Sequence, residues 1–182
     1  SDSYLAGLLM ARFLENQAGP DADLFERLFA DSIVNRLGLS PSSRYTRRTY
    51  DAEAQPFTGY GLNFHPDDLA RLGQWLNGPA RRDTDLFATG KYLQAVSHAA
   101  RSPEPGLAAR GLDYQYGFWA AEASHWVGCN KETWIPFLSG FGGITVALLP
   151  NGMVYYYVSD SGIFRWARPV MEAHKIRPIC AR

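Results

Sequence analysis

The sequence predicts an α+β fold in which an antiparallel sheet is flanked by helices. Three observations carry that prediction. Helical periodicity dominates residues 1–110. Short continuous apolar runs replace it in residues 111–182. Pro150-Asn151-Gly152 then joins two of those runs as a hairpin, Asn-Gly being the strongest short turn signal between strands. The 182 residues suffice for one core and would be cramped as two, so the chain reads as a single domain or part of one.

Each element has its own punctuation. Residues 3–17 read as a helix with Leu5, Leu8, Leu9 and Phe13 at helical spacing, stopped by Gly19-Pro20. Asp23 with Glu26 forms a capping box for a second helix. Leu24, Phe25, Leu28, Phe29, Ile33 and Val34 make its wide apolar stripe, and it ends near Leu37-Gly38. The two helices are expected to pack together. Periodicity vanishes over residues 40–63, a long loop that is either functional or an excursion. Pro66, Asp67 and Asp68 start a third helix that buries Leu69, Leu72, Trp75 and Leu76 and stops at Asn77-Gly78-Pro79. A weaker helical stretch covers residues 86–100, and residues 102–111 are a Pro/Gly-rich connection.

The strand region starts with an aromatic-rich run over residues 114–120. Residues 144–149 and 153–158 form the hairpin, and neither run alternates with polar residues, so the sheet should be covered on both faces. A last helix over residues 163–174 could supply one cover, with Pro169 expected to kink or divide it.

Composition excludes several classes. Hydrophobic residues at 46% and aromatics at 14% are globular rather than disordered usage. Eighteen basic and eighteen acidic residues cancel, which argues against nucleic acid, and the short Arg44, Arg47, Arg48 cluster reads as a solvated loop. No apolar run is long enough for a transmembrane span. Cys129 and Cys180 match no metal spacing, and either pair as a disulfide or remain buried thiols. No cofactor loop is present, since no G-x-G-x-x-G stands between a strand and a helix.

The chemistry-bearing residues are few. Ser139-Gly140-Phe141-Gly142-Gly143 puts three glycines at the start of the hairpin, where either a ligand approaches the backbone or a bulge or tight contact needs them. Exposed N–H groups there could hold an oxyanion. His65, His98, His125 and His174 are scattered, with His125 beside Trp126 in an aromatic neighbourhood. There is no G-x-S-x-G and no S-x-x-K: Ala88, Gly128 and Glu172 stand three residues before Lys91, Lys131 and Lys175.

Five segments in order resemble the β-lactamase-like serine hydrolases, the group of class C β-lactamases, esterases, DD-peptidases and nylon-oligomer (6-aminohexanoate-dimer) hydrolases. They are Ser1-Asp2-Ser3-Tyr4-Leu5-Ala6-Gly7-Leu8-Leu9, Leu37-Gly38-Leu39-Ser40, the GLNFHPDDLARLGQWLNG segment at 61–78, Tyr114-Gln115-Tyr116-Gly117-Phe118-Trp119, and FLSGFGGITVALLP at 137–150. In the third, His65 stands near where that family has a Thr or Ser cap. In the fifth, Ser139-Gly140 stands near the family's Lys-Thr-Gly, a departure that points toward the esterase and nylon-oligomer branch.

The resemblance implies the C-terminal portion of a β-lactamase/transpeptidase-like fold, in which an edge strand lends a backbone N–H to the oxyanion hole. It implies an acyl-enzyme route on a small ester or amide, a periplasmic or secreted protein, and an upstream polypeptide carrying the S-x-x-K serine and the tyrosine motif. It assigns the Ser139, Gly140 and Phe141 backbone to the oxyanion hole and makes Tyr114, Trp119 and the 40–63 loop substrate contacts. Two other readings stand beside it. One is a non-catalytic module derived from such a hydrolase. The other makes Ser1 an N-terminal nucleophile, although Ser1 reads more readily as a cloning or proteolysis boundary and the early helix pattern fits such enzymes poorly.

Overall fold

The computed structural model describes residues 2–78, 105–140, 142–163 and 165–180. The expected helical stretch at 86–100 lies outside them. The chain divides into two compact units, Ser1–Arg71 and Leu72–Arg182. The division falls inside one helix.

The first unit opens with α1 (Asp2–Ala18). Its expected apolar stripe is not its buried side. Leu5, Leu9 and Phe13 are exposed, whereas Gly7 and Ala11 are buried. The cause is a close approach: a methyl group on Gly7 would collide with the Thr58 side chain, whose hydroxyl donates to the Ser3 carbonyl. A loop can come this near only where the helix has almost no side chain, so packing overrode the leucine periodicity. Helix α2 follows. It is wound in wide π-type turns over Glu26–Val34 and continues as ordinary helix through Asn35–Leu37. The Asp23 carboxylate accepts from the Glu26 N–H at 2.9 Å, as the capping pattern foretold. Gly38 ends the helix in the left-handed conformation with φ 59°. Leu24, Phe25, Ala30, Val34 and Leu39 are buried.

The stretch read as an unstructured loop has internal order. Pro41–Arg44 forms a 3-10 turn, Arg48 and Pro56 make an antiparallel bridge, and the Arg47 N–H donates to the Gly61 carbonyl. Phe57 stacks on Tyr60 at 4.9 Å and meets Tyr4 at 5.7 Å.

Helix α3 (Pro66–Leu76) starts where the sequence places it. His65 performs the capping that a Ser or Thr would perform, since its Nδ1 accepts from the Asp67 N–H at 3.3 Å. Asp68 completes the cap from inside the first turn by accepting from the His65 N–H at 3.0 Å. The same buried carboxylate accepts from the Ser40 N–H at 2.8 Å, from the Ser40 hydroxyl, and from the Ser43 hydroxyl at 2.9 Å. Burial by itself would raise the Asp68 pKa, but these donors outweigh it and hold the group at about 2.

The second unit is built on a five-stranded antiparallel meander in the order β1-β2-β3-β4-β5. After a short turn of helix α4 (Pro105–Ala108), the strands are β1 (Leu112–Gln115), β2 (Phe118–Glu122), β3 (Trp134–Gly140), β4 (Ile144–Leu148) and β5 (Val154–Tyr157). One short helical turn, α5 (Ser124–Val127), lies between β2 and β3, and α6 (Ala167–Ile176) closes the unit.

Three expectations change here. The aromatic run at 114–120 is not one strand but a hairpin. Tyr116 and Gly117 both have positive φ, 48° and 89°, as a two-residue turn with the sheet's twist requires. Pro169 neither kinks nor divides the last helix. That helix begins at Ala167, so Pro169 sits in the first turn, where no N–H partner is lost. The strand expected at an edge, β3, is the central one, paired with β2 on one side and β4 on the other.

Both faces of the sheet are covered, as the unbroken apolar runs required. On one face Val170, Ala173 and Trp166 pack on Ala121, Ile135, Phe137, Ala147 and Leu149. On the other, Gly73 lets the second half of α3 approach Val146 and Val154 so closely that any side chain there would collide. The hairpin turn is tied to the end of α6 by Asn151. Its amide donates to the Arg177 carbonyl at 2.7 Å and the Ala173 carbonyl at 3.3 Å, and Arg177 donates back to the Asn151 carbonyl at 2.7 Å. Cys129 and Cys180 form a disulfide, with Cα atoms 5.3 Å apart, that fastens the segment after α5 to the segment after α6.

Two measurements test this account. The disulfide closes a 51-residue separation, for which chain entropy predicts a contribution of about 4 kcal/mol. Denaturant unfolding of Cys129→Ala/Cys180→Ala should show a loss of that order. Asp68 has a folded pKa below its unfolded one, so its contribution is fully present above about pH 4 and is lost as pH falls through about 2. Asp68→Asn is expected to be less stable at neutral pH by about 2 kcal/mol, with a shallower acid dependence. An unchanged acid slope would contradict the assignment.

Candidate functional site

The expected oxyanion residues lie at the end of β3. Ser139 is exposed and Gly140 is half-buried, whereas Phe141 lies outside the described residues. Two of the three neighbouring glycines have structural reasons. Gly142 and Gly143 turn the chain from β3 into β4 with φ of 87° and 102°. A side chain at Gly143 would crowd the Ile163 backbone, and the Gly142 carbonyl accepts from the Gly162 N–H at 2.9 Å. The turn therefore serves close packing of the 159–163 loop.

The register decides which way Ser139 presents its backbone. In an antiparallel ladder each residue sends its N–H and C=O to the same neighbour, and successive residues alternate. The Leu149 N–H donates to the Met153 carbonyl, so Leu149, Ala147 and Thr145 face β5. Val146 and Ile144 then face β3 and bond with Leu138 and Gly140. Phe137 and Ser139 consequently face β2. Phe137 finds Trp119 there, but the pairing of β2 with β3 ends at that pair. Ser139 thus directs its N–H past the end of β2, and among the described residues nothing bonds to it.

The two expected substrate-contact residues stand beside this opening. Tyr114 and Trp119 are opposite one another across β1 and β2, with ring centroids 5.0 Å apart. Trp119 stacks on Phe137 at 6.4 Å, and Phe137 meets Trp166 at 4.9 Å. Paired residues share a face, and so do residues two apart. The rings of Tyr114, Trp119 and Phe137 therefore form a shelf on the same face as the Ser139 side chain, which lies ~7 Å further along β3. The 40–63 loop belongs to the other unit.

A second polar cluster, which the sequence only hinted at through His125, sits at the opposite end of β3. A cleft of about 400 Å³ is lined there by Leu112, Asp113, Glu122, His125, Glu132 and Trp134. It contains none of the expected site residues and starts ~17 Å along the strand from Ser139. Glu122 organises it. Its Oε1 accepts from the Ser124 N–H at 2.8 Å and the Thr133 N–H at 3.2 Å, while Oε2 lies 3.3 Å from His125 Nδ1. Burial pushes the Glu122 pKa up, but the bonds from Ser124, Thr133 and His125 outweigh it and bring it to about 2. The Glu122-x-x-His125 spacing at the junction of β2 and α5 was the available signal. The cluster is a brace: it pins the start of α5 to the start of β3.

Among the described residues no group of three or more His, Cys, Asp or Glu side chains is arranged to hold a metal, and no helix is long and apolar enough to cross a membrane. Comparisons with protein-family models, curated proteins and solved structures found no match to this chain.

The brace gives a direct test. Glu122→Ala should cost about 2 kcal/mol by stranding two backbone donors. Amide exchange at Ser124 and Thr133 should accelerate while the β4–β5 amides keep their protection. Because the folded pKa is depressed, the contribution is present above about pH 4.5 and is lost as pH falls through about 2.

Proposed function

We propose that this chain is the C-terminal part of a serine hydrolase of the β-lactamase-like type. In this reading it contributes the oxyanion-binding strand and an aromatic wall, while a companion upstream polypeptide carries the S-x-x-K nucleophile and the tyrosine. The substrate is a small ester or amide, cleaved through an acyl-enzyme. The observation that carries the reading is the Ser139 N–H, directed past the end of β2 and without a bond among the described residues, beside the Tyr114–Trp119 pair. A rigid strand supplies that donor without reorganisation, which is what stabilising a developing oxyanion demands. The disulfide supports the further proposal of a periplasmic or secreted location, where such bonds persist.

A second reading, a binding module without chemistry, is favoured by the lack of any S-x-x-K within these 182 residues. A fluorophosphonate probe separates the two. Label on a second polypeptide that co-purifies with the chain supports the hydrolase, and a single unlabelled 20.3 kDa species sinks it. In a labelled preparation, Ser139→Pro removes the donor and should lower kcat on p-nitrophenyl acetate by about 100-fold or more. Ser139→Gly, which keeps the N–H, should stay within a few-fold of the parent.

A further inference from the structure

The row of rings beside Ser139 grades from core to solvent. Phe137 is buried, Trp119 is half-buried and Tyr114 is 45% exposed. Trp166 meets the inner end, with its ring 4.9 Å from Phe137. Trp119 packs against the core that α6 covers, and Tyr114 extends the row beyond that core. The face is also uncharged. Strands β1, β2 and β3 contain two charged residues, Asp113 and Glu122. Alternation sends both to the opposite face. A carboxylate or ammonium set against the rings would lose water and gain no counter-charge from these strands, which costs free energy. A flat neutral ring gains the tilted or offset contacts that aromatic rings prefer at centroid distances of about 4.5–7 Å.

The reach from the backbone donor is short. Strand spacing and rise put the Cα atoms of Trp119 and Tyr114 about 8 and 12 Å from that of Ser139. A carbonyl oxygen held by the Ser139 N–H sits about 3 Å out on the β2 side. One ring joined to that carbonyl through one or two carbons spans what remains, whereas an acetyl group does not. We propose that the acyl half of the substrate is a neutral arylalkanoyl group whose ring seats against Trp119 and Tyr114. The inference rests on the hydrolase reading and names the substrate class within it: ring-bearing, uncharged acyl groups.

The labelled preparation, chain and companion together, tests it on ethyl phenylacetate, ethyl acetate and monoethyl succinate. All three share one leaving group, and each consumes one water and releases ethanol and the acid, which titration reads. The phenylacetate should exceed the acetate in kcat/KM by about ten-fold or more, with the charged succinate poorest. Tyr114→Ala, at an exposed position, should lower the phenylacetate-to-acetate ratio about three-fold, mainly through KM, and Tyr114→Phe should keep it. Trp119→Ala should abolish the ratio, and Trp119→Phe should retain most of it. Loss of folded enzyme cancels in this ratio, so a pair that only stabilises the hairpin would lower the melting temperature and leave the ratio unchanged. Hydrolysis without a ring preference, or a preference that survives both alanine variants, overturns this inference and leaves the hydrolase reading standing. A preparation that takes no fluorophosphonate label and hydrolyses none of the esters overturns that reading and this inference with it.

Discussion

The second unit depends on the two-sided pairing of β3. The strand is paired with β2 over Trp134–Phe137 and with β4 over Phe137–Gly140, so that Phe137 is held from both sides and the row of Ile135 and Phe137 is fixed on the face that α6 covers. Over Leu138, Ser139 and Gly140 it is bonded to β4 alone, because the turn at Tyr116-Gly117 ends β2 first. One register thus does two things. It seats the core by holding side chains to a period of two, and it leaves one backbone N–H facing outward at the strand's end. Shifting the β2–β3 pairing by a single residue would move Phe137 off the core face.

Within each unit the loops are held by buried or half-buried polar groups, each of which engages at least two backbone partners. Asp68 gathers the Leu39–Ser43 region onto the start of α3. Asn151 locks the hairpin turn to the end of α6. Glu122 joins α5 to β3. All three follow one logic. Orphan N–H and C=O groups at helix ends and turns must find partners once they leave water. A carboxylate or amide can serve several at once, and the depressed Asp68 and Glu122 pKa values are the electrostatic trace of that service.

Much of this was legible before any coordinates. The α+β class, the α3 boundaries, the β4–β5 hairpin and the stop at Gly38 all rest on local rules: capping, turn chemistry and apolar runs. The misreadings share a cause. The Leu5, Leu9, Phe13 stripe looked like a buried face, yet Thr58 came to rest on the Gly7 side. The 114–120 run looked like one strand because Tyr116 gives no local sign that it will accept a positive φ. Pro169 looked like a kink because the start of α6 was set four residues too early. In each case a contact distant in sequence, or a boundary a few residues away, outweighed the local signal.

The candidate site divides the same way. Sequence reading singled out Ser139, Gly140, Tyr114 and Trp119 individually. It assigned them by resemblance and put the strand of Ser139 and Gly140 at an edge. Only the tertiary structure set β3 in the middle of the sheet, brought the two rings to 5.0 Å and turned the Ser139 N–H outward. By itself the sequence determined the α+β class, the limits of α3 and the β4–β5 hairpin, because those depend on residues within a few positions of one another. The tertiary structure decided which strands neighbour which and where one outruns the next. Hydrogen-bond direction in a sheet belongs to the register between strands, and no single strand's sequence contains it.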